Sequence, residues 1–308
     1  MECFVLGTGG MMPMPKRRLT SVAVRTDGRV YLFDCGEGTQ VPYKEAHLGF
    51  RPLKVVAVTH LHADHVLGLP GMLMLRSQME TPEELVLVGP PGLERFVKNV
   101  RHDLRMYINY PLRFLEWSER AGELAYEDEQ ARLFWRPLDH SVFCLGYRLE
   151  EHGRPGKFDP EAAVRLGVPK GPLYRQLQLG EAVVTPSGAT VQPEDVLGPP
   201  RRGRHVAFCT DTAITEALQP LLRETDLAFV EGMFLPEHEA EAAEKKHMTV
   251  AQSTQAAARA KVGRLVLVHL SPRYEPAELP RIDEEAAKHH PAAAAGREGQ
   301  MIEVPLPD

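Results

Sequence analysis

Short apolar runs alternate along the chain with amphipathic or polar stretches, and several runs stop abruptly on a histidine or an aspartate. The sharpest case is Leu53-Lys-Val-Val-Ala-Val-Thr-His60-Leu-His62-Ala-Asp64-His65-Val-Leu-Gly68. A Val-rich run of this length reads as a buried strand. The polar burst then falls in the loop at the strand's end, where chemistry is commonly carried. Cys3 to Leu6 predicts a strand entering Gly7-Thr-Gly-Gly10, and Ser21 to Arg25 with Arg29 to Phe33 predicts a hairpin turned by Asp27-Gly28. A helix from Gly68-Leu-Pro-Gly71 to Met79, a strand at Leu85 to Val88 and a helix at Leu93 to Leu104 continue the alternation, which makes the fold class α/β. Leu112 to Pro137 reads as short strands with charged turns, a more antiparallel portion. Beyond residue 200, Asp226 to Phe234 predicts a strand carrying Glu231, and Glu237 to Lys246 a solvated helix. Thr249 is placed to cap a helix over Val250 to Ala260. Asp283 to His290 predicts a surface helix, with His289 and His290 as surface residues, and Met301 to Val304 a last strand.

Three further runs share the grammar of the first. Phe134-Trp-Arg-Pro-Leu-Asp-His140 and Leu265-Val-Leu-Val-His269 each place one histidine just past a strand; His205-Val-Ala-Phe-Cys-Thr-Asp211 places an aspartate there. In α/β sheets the carboxyl ends of the strands collect on one edge and build the site. Imidazoles and carboxylates suit zinc or a similar divalent ion, and a catalytic ion takes three protein ligands. Four ligand-type residues in the first loop plus distant partners therefore suggest two metals. Asp34, at the end of another apolar strand in Asp34-Cys-Gly-Glu-Gly38, is either a turn residue or an acceptor orienting a metal-bound histidine. The Gly7–Gly10 cluster lacks the spacing of a phosphate-binding loop.

The chain's 308 residues fit one large domain or two ordinary ones, and its net charge of -6 argues against a generally basic nucleic-acid binder. No apolar run reaches membrane-spanning length, and the first residues lack the basic start of a signal peptide. Cys3, Cys35, Cys144 and Cys209 form no C-x-x-C pair, which fits buried thiols in a reducing cytoplasm. Between His140 and Asp211 the composition turns Gly/Pro-rich, which reads as an inserted arm over residues 151–200 projecting from the core.

These residues resemble the metallo-β-lactamase superfamily and, within it, the ribonuclease Z family of tRNA 3′-processing endonucleases. The likeness is carried by Gly7-Thr-Gly, Leu32-Phe-Asp-Cys-Gly-Glu-Gly-Thr-Gln40, Thr59-His-Leu-His-Ala-Asp-His65, His140, Gly171-Pro172-Leu, Asp211-Thr and His269. It implies a single metallo-hydrolase domain over residues 1–308, a four-layer αββα sandwich with a projecting arm that binds tRNA. It also implies two zinc ions (manganese or another divalent ion being an alternative), one on His60, His62 and His140, the other on Asp64, His65 and His269, with Asp211 bridging. Asp64 would accept the proton of the attacking water. The family's His-Ser-Thr and His-Glu-Ala-Thr loops match His247-Met248-Thr249 and Val230-Glu231-Gly232-Met233, which makes His247 the general acid, kept protonated by Glu231. Substrate contacts fall on Lys16, Arg17, Arg18, Gly171 and Pro172. The first loop, Pro13-Met-Pro-Lys16-Arg17-Arg18, departs from the family's Pro-x-Lys-x-Arg-Asn by losing the Lys and Asn positions. The implied reaction removes the 3′ trailer of precursor tRNA, in the cytoplasm, by a homodimer. The alternatives are a hydrolase of small phosphodiesters or esters on the same fold, and an RNA-binding protein with structural metals. A redox diiron centre is disfavoured because such superfamily members carry Glu at the position of His62.

Overall fold

Each apolar run of the first third becomes a strand of one sheet in the computed structural model, which describes residues 1–79, 83–118 and 124–307. These are β1 (Glu2–Gly7), β2 (Ser21–Thr26), β3 (Arg29–Phe33), β4 (Leu53–Ala57), β5 (Leu85–Gly89) and β6 (Leu112–Glu116). There follow β7 (Leu124–Glu127), β8 (Ala131–Leu138) and β9 (Cys144–Glu151), then two short strands, β10 (Val183–Val184) and β11 (Thr190–Val191). The series ends with β12 (His205–Cys209), β13 (Leu227–Glu231), β14 (Arg264–Val268), β15 (Ala293–Ala295) and β16 (Met301–Glu303). Among the described residues they build two seven-stranded sheets, β16-β1-β2-β3-β4-β5-β6 and β15-β14-β13-β12-β9-β8-β7, and the β10-β11 pair. The β2–β3 hairpin turns at Asp27 and Gly28 with φ of 44° and 74°, the left-handed pair that a two-residue turn needs to match strand twist.

Strand alternation sorts the side chains into layers. Val22, Val24, Tyr31, Phe33, Val55 and Ala57 of the first sheet share one core with Trp135, Tyr147, Phe208 and Phe229 of the second, so the sheets pack face to face. The opposite face of the first sheet, with Ala23, Leu32, Val56 and Leu87, is covered by helices Leu69–Ser77 and Leu93–Asp103. Ala207, Cys209, Val230 and Leu267 of the second sheet lie under helices Leu218–Leu222, Val250–Arg259 and Leu279–Ala287. The order of layers is αββα. Both faces of the inner strands are buried, which is why those strands read as nearly continuous apolar runs.

Met1–Glu150 and Arg204–Pro305 form this body, whereas Glu151–Gly203, with the last residues of the chain, form a second compact unit. That unit has a small core of Ala162, Ala163, Val168, Leu177, Val183, Val191 and Val196. Its helix Pro160–Arg165 is capped by Asp159, whose carboxylate accepts from the amides of Glu161 and Ala162. A second helix, Pro172–Gln178, arises where Gly and Pro suggested only loop, because proline is favoured in a first helical turn.

Three local expectations need correction. The helix near residue 283 begins earlier, at Leu279, and buries Ile282 and Ala286. His290, expected at the surface, is buried and donates a ring N–H to the Val262 carbonyl at 2.8 Å, while His289 is exposed. The charged stretch from Glu237 splits into a 3-10 turn, Pro236–His238, and a short helix, Glu239–Glu244.

Candidate metal centre

In the first sheet β3 and β4 run parallel, and in the second β12, β13 and β14 do, so carboxyl ends gather at one edge of each sheet. Just past three of these ends the backbone turns sharply: Asp34, Asp211 and His269 have φ of 54°, 56° and 52°. Left-handed backbone on a non-glycine residue costs on the order of 1–3 kcal/mol and persists where the surroundings over-determine it. The polar burst after β4 is only partly a loop. His62 stands at the N-terminal boundary of a single helical turn, Ala63–Val66, which carries Asp64 and His65.

The structure brings together all seven candidate ligands. His60, His62, His140 and Asp211 form one group and Asp64, His65 and His269 another, the ligand atoms within each lying within 4.8 Å of one another. His60 Nε2 is 2.9 Å from His62 Nδ1, which is 3.4 Å from His140 Nε2. In the other group His65 Nε2 is 3.3 Å from His269 Nε2, and Asp64 Oδ2 lies 3.4 Å from both. Asp211 faces both ways: Oδ1 is 3.4 Å from His65 Nε2 and 3.2 Å from His269 Nε2, and Oδ2 is 3.8 Å from His60 Nε2 and from His140 Nε2.

The far sides of the rings determine which nitrogens carry protons. His65 Nδ1 lies 2.7 Å from Asp34 Oδ2, and His140 Nδ1 3.2 Å from the Lys246 carbonyl, so each donates from Nδ1. The Thr59 hydroxyl donates to Asp34 (2.9 Å to Oδ2), so toward His60 Nδ1, at 3.0 Å, it acts as acceptor. Asp34 thus orients His65 directly and His60 through Thr59, and also accepts the Thr59 amide at 2.7 Å. With Nδ1 protonated, the Nε2 atoms of His60, His65 and His140 present bare lone pairs toward their neighbours. Asp211 Oδ1 is buried without a hydrogen-bond partner. Buried polar atoms are normally satisfied, and converging lone pairs repel. This donor set fits divalent cations.

Electrostatics follow the burial. His60 is held well below the usual imidazole range chiefly by its burial. Burial would push Asp64 up, but the neighbouring His269 and His65 rings outweigh it and hold the carboxylate below its ordinary range. His247 sits at the rim, its ring 5.1 Å from that of His140 and 5.4 Å from that of His269. Its Nδ1 donates to Glu231 Oε2 at 3.0 Å; the buried Glu231 also accepts the amides of Thr212 (2.5 Å) and Met248 (3.1 Å). Burial opposes the imidazolium, but the Glu231 charge and hydrogen bond prevail and raise the His247 pKa to about 9. His247 lies close enough to Asp211 and His269 to be a ligand by distance. A ring that keeps both protons has no lone pair to offer a metal.

The remaining sequence candidates are dispersed. Lys16 is exposed and Arg18 pairs with Glu45 at 3.0 Å, but Arg17 is buried and donates to the Ser271 carbonyl at 3.0 Å. The expected solvated turn of three cations therefore offers two. Gly171 and Pro172 belong to the second unit, exposed at the start of helix Pro172–Gln178. Sequence reasoning missed Thr59, whose position beside His60 was the available signal. It also missed the Lys246 carbonyl and the Met11 amide, which donates to Asp64 Oδ2 at 2.7 Å. Backbone groups leave no mark in side-chain identity.

Comparison with known proteins places these observations. The family model described as the metallo-beta-lactamase superfamily matches residues 17–206, and that of a beta-lactamase superfamily domain matches residues 183–270. Ribonuclease Z of Treponema denticola is 44% identical over 308 residues, covering 100% of this chain and 99% of the relative. Ribonuclease Z of Salinibacter ruber is 41% identical, covering 97% and 93%. Among solved structures, the short form of human tRNase Z superposes with a TM-score of 0.73 at 21% identity, covering 99% of this chain and 100% of that one. A diphosphatase of the PhnP family gives 0.64 at 18% identity, covering 99% and 98%.

Proposed function

We infer the function from one premise: the chain belongs to the ribonuclease Z family of the metallo-beta-lactamase superfamily. It is a metal-dependent endoribonuclease, a phosphodiester hydrolase that processes the 3′ end of tRNA. The observation that carries this beyond kinship is the pair of ligand groups sharing Asp211, one carboxylate oxygen toward each.

In our reading His60, His62 and His140 would hold one zinc ion and Asp64, His65 and His269 a second, with Asp211 available to both. When bound, two such ions activate water and neutralise charge on the phosphate undergoing in-line displacement. Asp64, whose carboxylate faces this second group, would also take the proton of the attacking water. His247, kept protonated by Glu231, donates to the departing 3′ oxygen, which is too basic to leave unprotonated. The products are a 3′-hydroxyl on the tRNA body and a 5′-phosphate on the trailer. Asp34 and Thr59 touch no substrate; they hold His65 and His60 in the tautomer that faces inward.

The second unit is our candidate for gripping the RNA body, since Lys157, Lys170 and Arg175 are exposed on it near Gly171 and Pro172 in the chain; Lys16 and Arg18 are candidate contacts for the RNA end. We also propose a homodimer as the working assembly and the cytoplasm as its compartment, by family and with four free buried cysteines in support. Among the described residues no helix is long and apolar enough to cross a membrane.

A 5′-labelled precursor tRNA incubated with the protein should be shortened at its 3′ end, and a chelator should abolish the cut. Persistence of cleavage in chelator, or no cleavage with zinc, would contradict the assignment. Deleting residues 151–200 should abolish precursor cleavage while sparing bis(p-nitrophenyl) phosphate turnover; intact precursor cleavage would remove the RNA role from that unit.

A further inference from the structure

The Gly7-Thr8-Gly9-Gly10 cluster has no phosphate-loop spacing, and the reaction above gives it no task. Its surroundings suggest one. The chain leaves β1 at Gly7 and comes back at Leu19, and the two stems are closed by the Thr8 and Gly9 amides, which donate to the Arg18 carbonyl at 3.1 and 2.8 Å. Glu298, from the distant C-terminal region, clamps both stems. Its Oε1 accepts from the Thr8 amide (3.1 Å), the Thr8 hydroxyl (3.0 Å) and the Arg18 amide (3.2 Å).

The same loop is stitched to the residues around His269. The Gly10 amide donates to the Leu270 carbonyl at 3.1 Å and the Leu270 amide to the Thr8 carbonyl at 2.8 Å. The His269 amide donates to the Thr20 hydroxyl at 3.1 Å. At the tip, Met11 takes a left-handed φ of 69°, and its amide donates to Asp64 Oδ2 at 2.7 Å. This is the carboxylate oxygen that faces His65 Nε2 and His269 Nε2. The approach is possible only because residue 10 has no side chain: a Cβ there would stand 2.6 Å from His269 Cε1 and 2.7 Å from its Nε2.

We propose that this loop is a backbone clamp on the metal centre, in which the Met11 amide fixes the Asp64 carboxylate, with Gly10 and Glu298 as positioning residues. A carboxylate oxygen has lone pairs enough for one amide and one cation, so the clamp sets the ligand's rotamer without consuming it. Partners that orient a ligand from outside the coordination sphere typically contribute about 10–100-fold in metal affinity. The inference rests on the metal reading above.

The test is zinc affinity by competition with a chromophoric chelator, alongside thermal unfolding of the metal-free proteins. Gly10→Ala should weaken one of the two sites by about 10–100-fold. Glu298→Ala should weaken the same site by about tenfold, the low end of that range. Glu298→Gln, which keeps an amide-accepting oxygen, should restore most of the loss. If Gly10→Ala does not fold, the two Glu298 variants decide. A Glu298→Ala protein that unfolds at lower temperature but binds zinc like the parent would reduce the clamp to ordinary stability and overturn the proposal. A parent protein that binds no zinc would instead overturn the metal reading, leaving the two failures distinguishable.

Discussion

The two sheets supply the metal centre in opposite ways. The first provides four candidate ligands in six residues, His60 to His65, from one strand end and one helical turn. The second provides His140, Asp211 and His269 singly, each just past a different strand and separated by dozens of residues. A contiguous motif secures its geometry locally, because neighbouring residues share a turn. Solitary ligands depend on the whole β-sandwich, and at two of them the backbone is held at positive φ. The fold thus aims the second set, while the local sequence aims the first.

Removing the residue that joins the two groups should break this arrangement most. Asp211→Ala takes a ligand oxygen from each group and should lower precursor cleavage by more than about 10³-fold, on the order of 4 kcal/mol in the barrier. His62→Ala, which strikes one group only, should leave a protein that still binds metal at the other, read by elemental analysis.

The second sheet also leads to the proposed acid, which allows a sharper division. His247→Ala should slow precursor cleavage by about 10²–10⁴-fold. Bis(p-nitrophenyl) phosphate, whose leaving group needs no proton, should be cleaved at close to the parent rate. Equal losses on both substrates would place His247 in metal binding instead.

Smaller effects should follow from the orienting residues of the first sheet. Asp34→Ala removes the acceptor for His65 and, through Thr59, for His60, and should cost about 10–100-fold in metal affinity. Thr59→Val breaks only the branch to His60 and should cost less; an equal loss would mean that Asp34 acts through Thr59 alone.

The mildest perturbation is by pH. Because Glu231 raises His247 to about 9, the protonated acid persists through neutral pH and activity should fall as pH rises through about 9. The pair's contribution to stability has the same sign: it is fully present below the ordinary imidazole value of 6.5 and lost as pH rises through about 9. Glu231→Gln should move the alkaline limb of kcat down toward neutrality.

Much of this was legible before any coordinates. Alternating strand and helix runs read as α/β, the family resemblance implied the αββα layers, and a shared position past a strand end linked His140, Asp211 and His269 to the motif at 60–65. What the chain's letters could not express were contacts made by backbone or by burial. The Lys246 carbonyl on His140 and the Met11 amide on Asp64 belong to no residue type. Arg17 reads as a surface cation, yet it lies in the interior because its guanidinium satisfies the Ser271 carbonyl. His290 reads as a tail residue, yet it closes onto Val262.

The most direct test is a count of ions. Protein stripped with chelator, reloaded with zinc and freed of excess metal should contain close to two zinc ions per chain by elemental analysis, and Asp211→Ala clearly fewer. One ion or none in the parent protein, or an unchanged count in Asp211→Ala, would contradict a pair of cations held by ligands from both sheets.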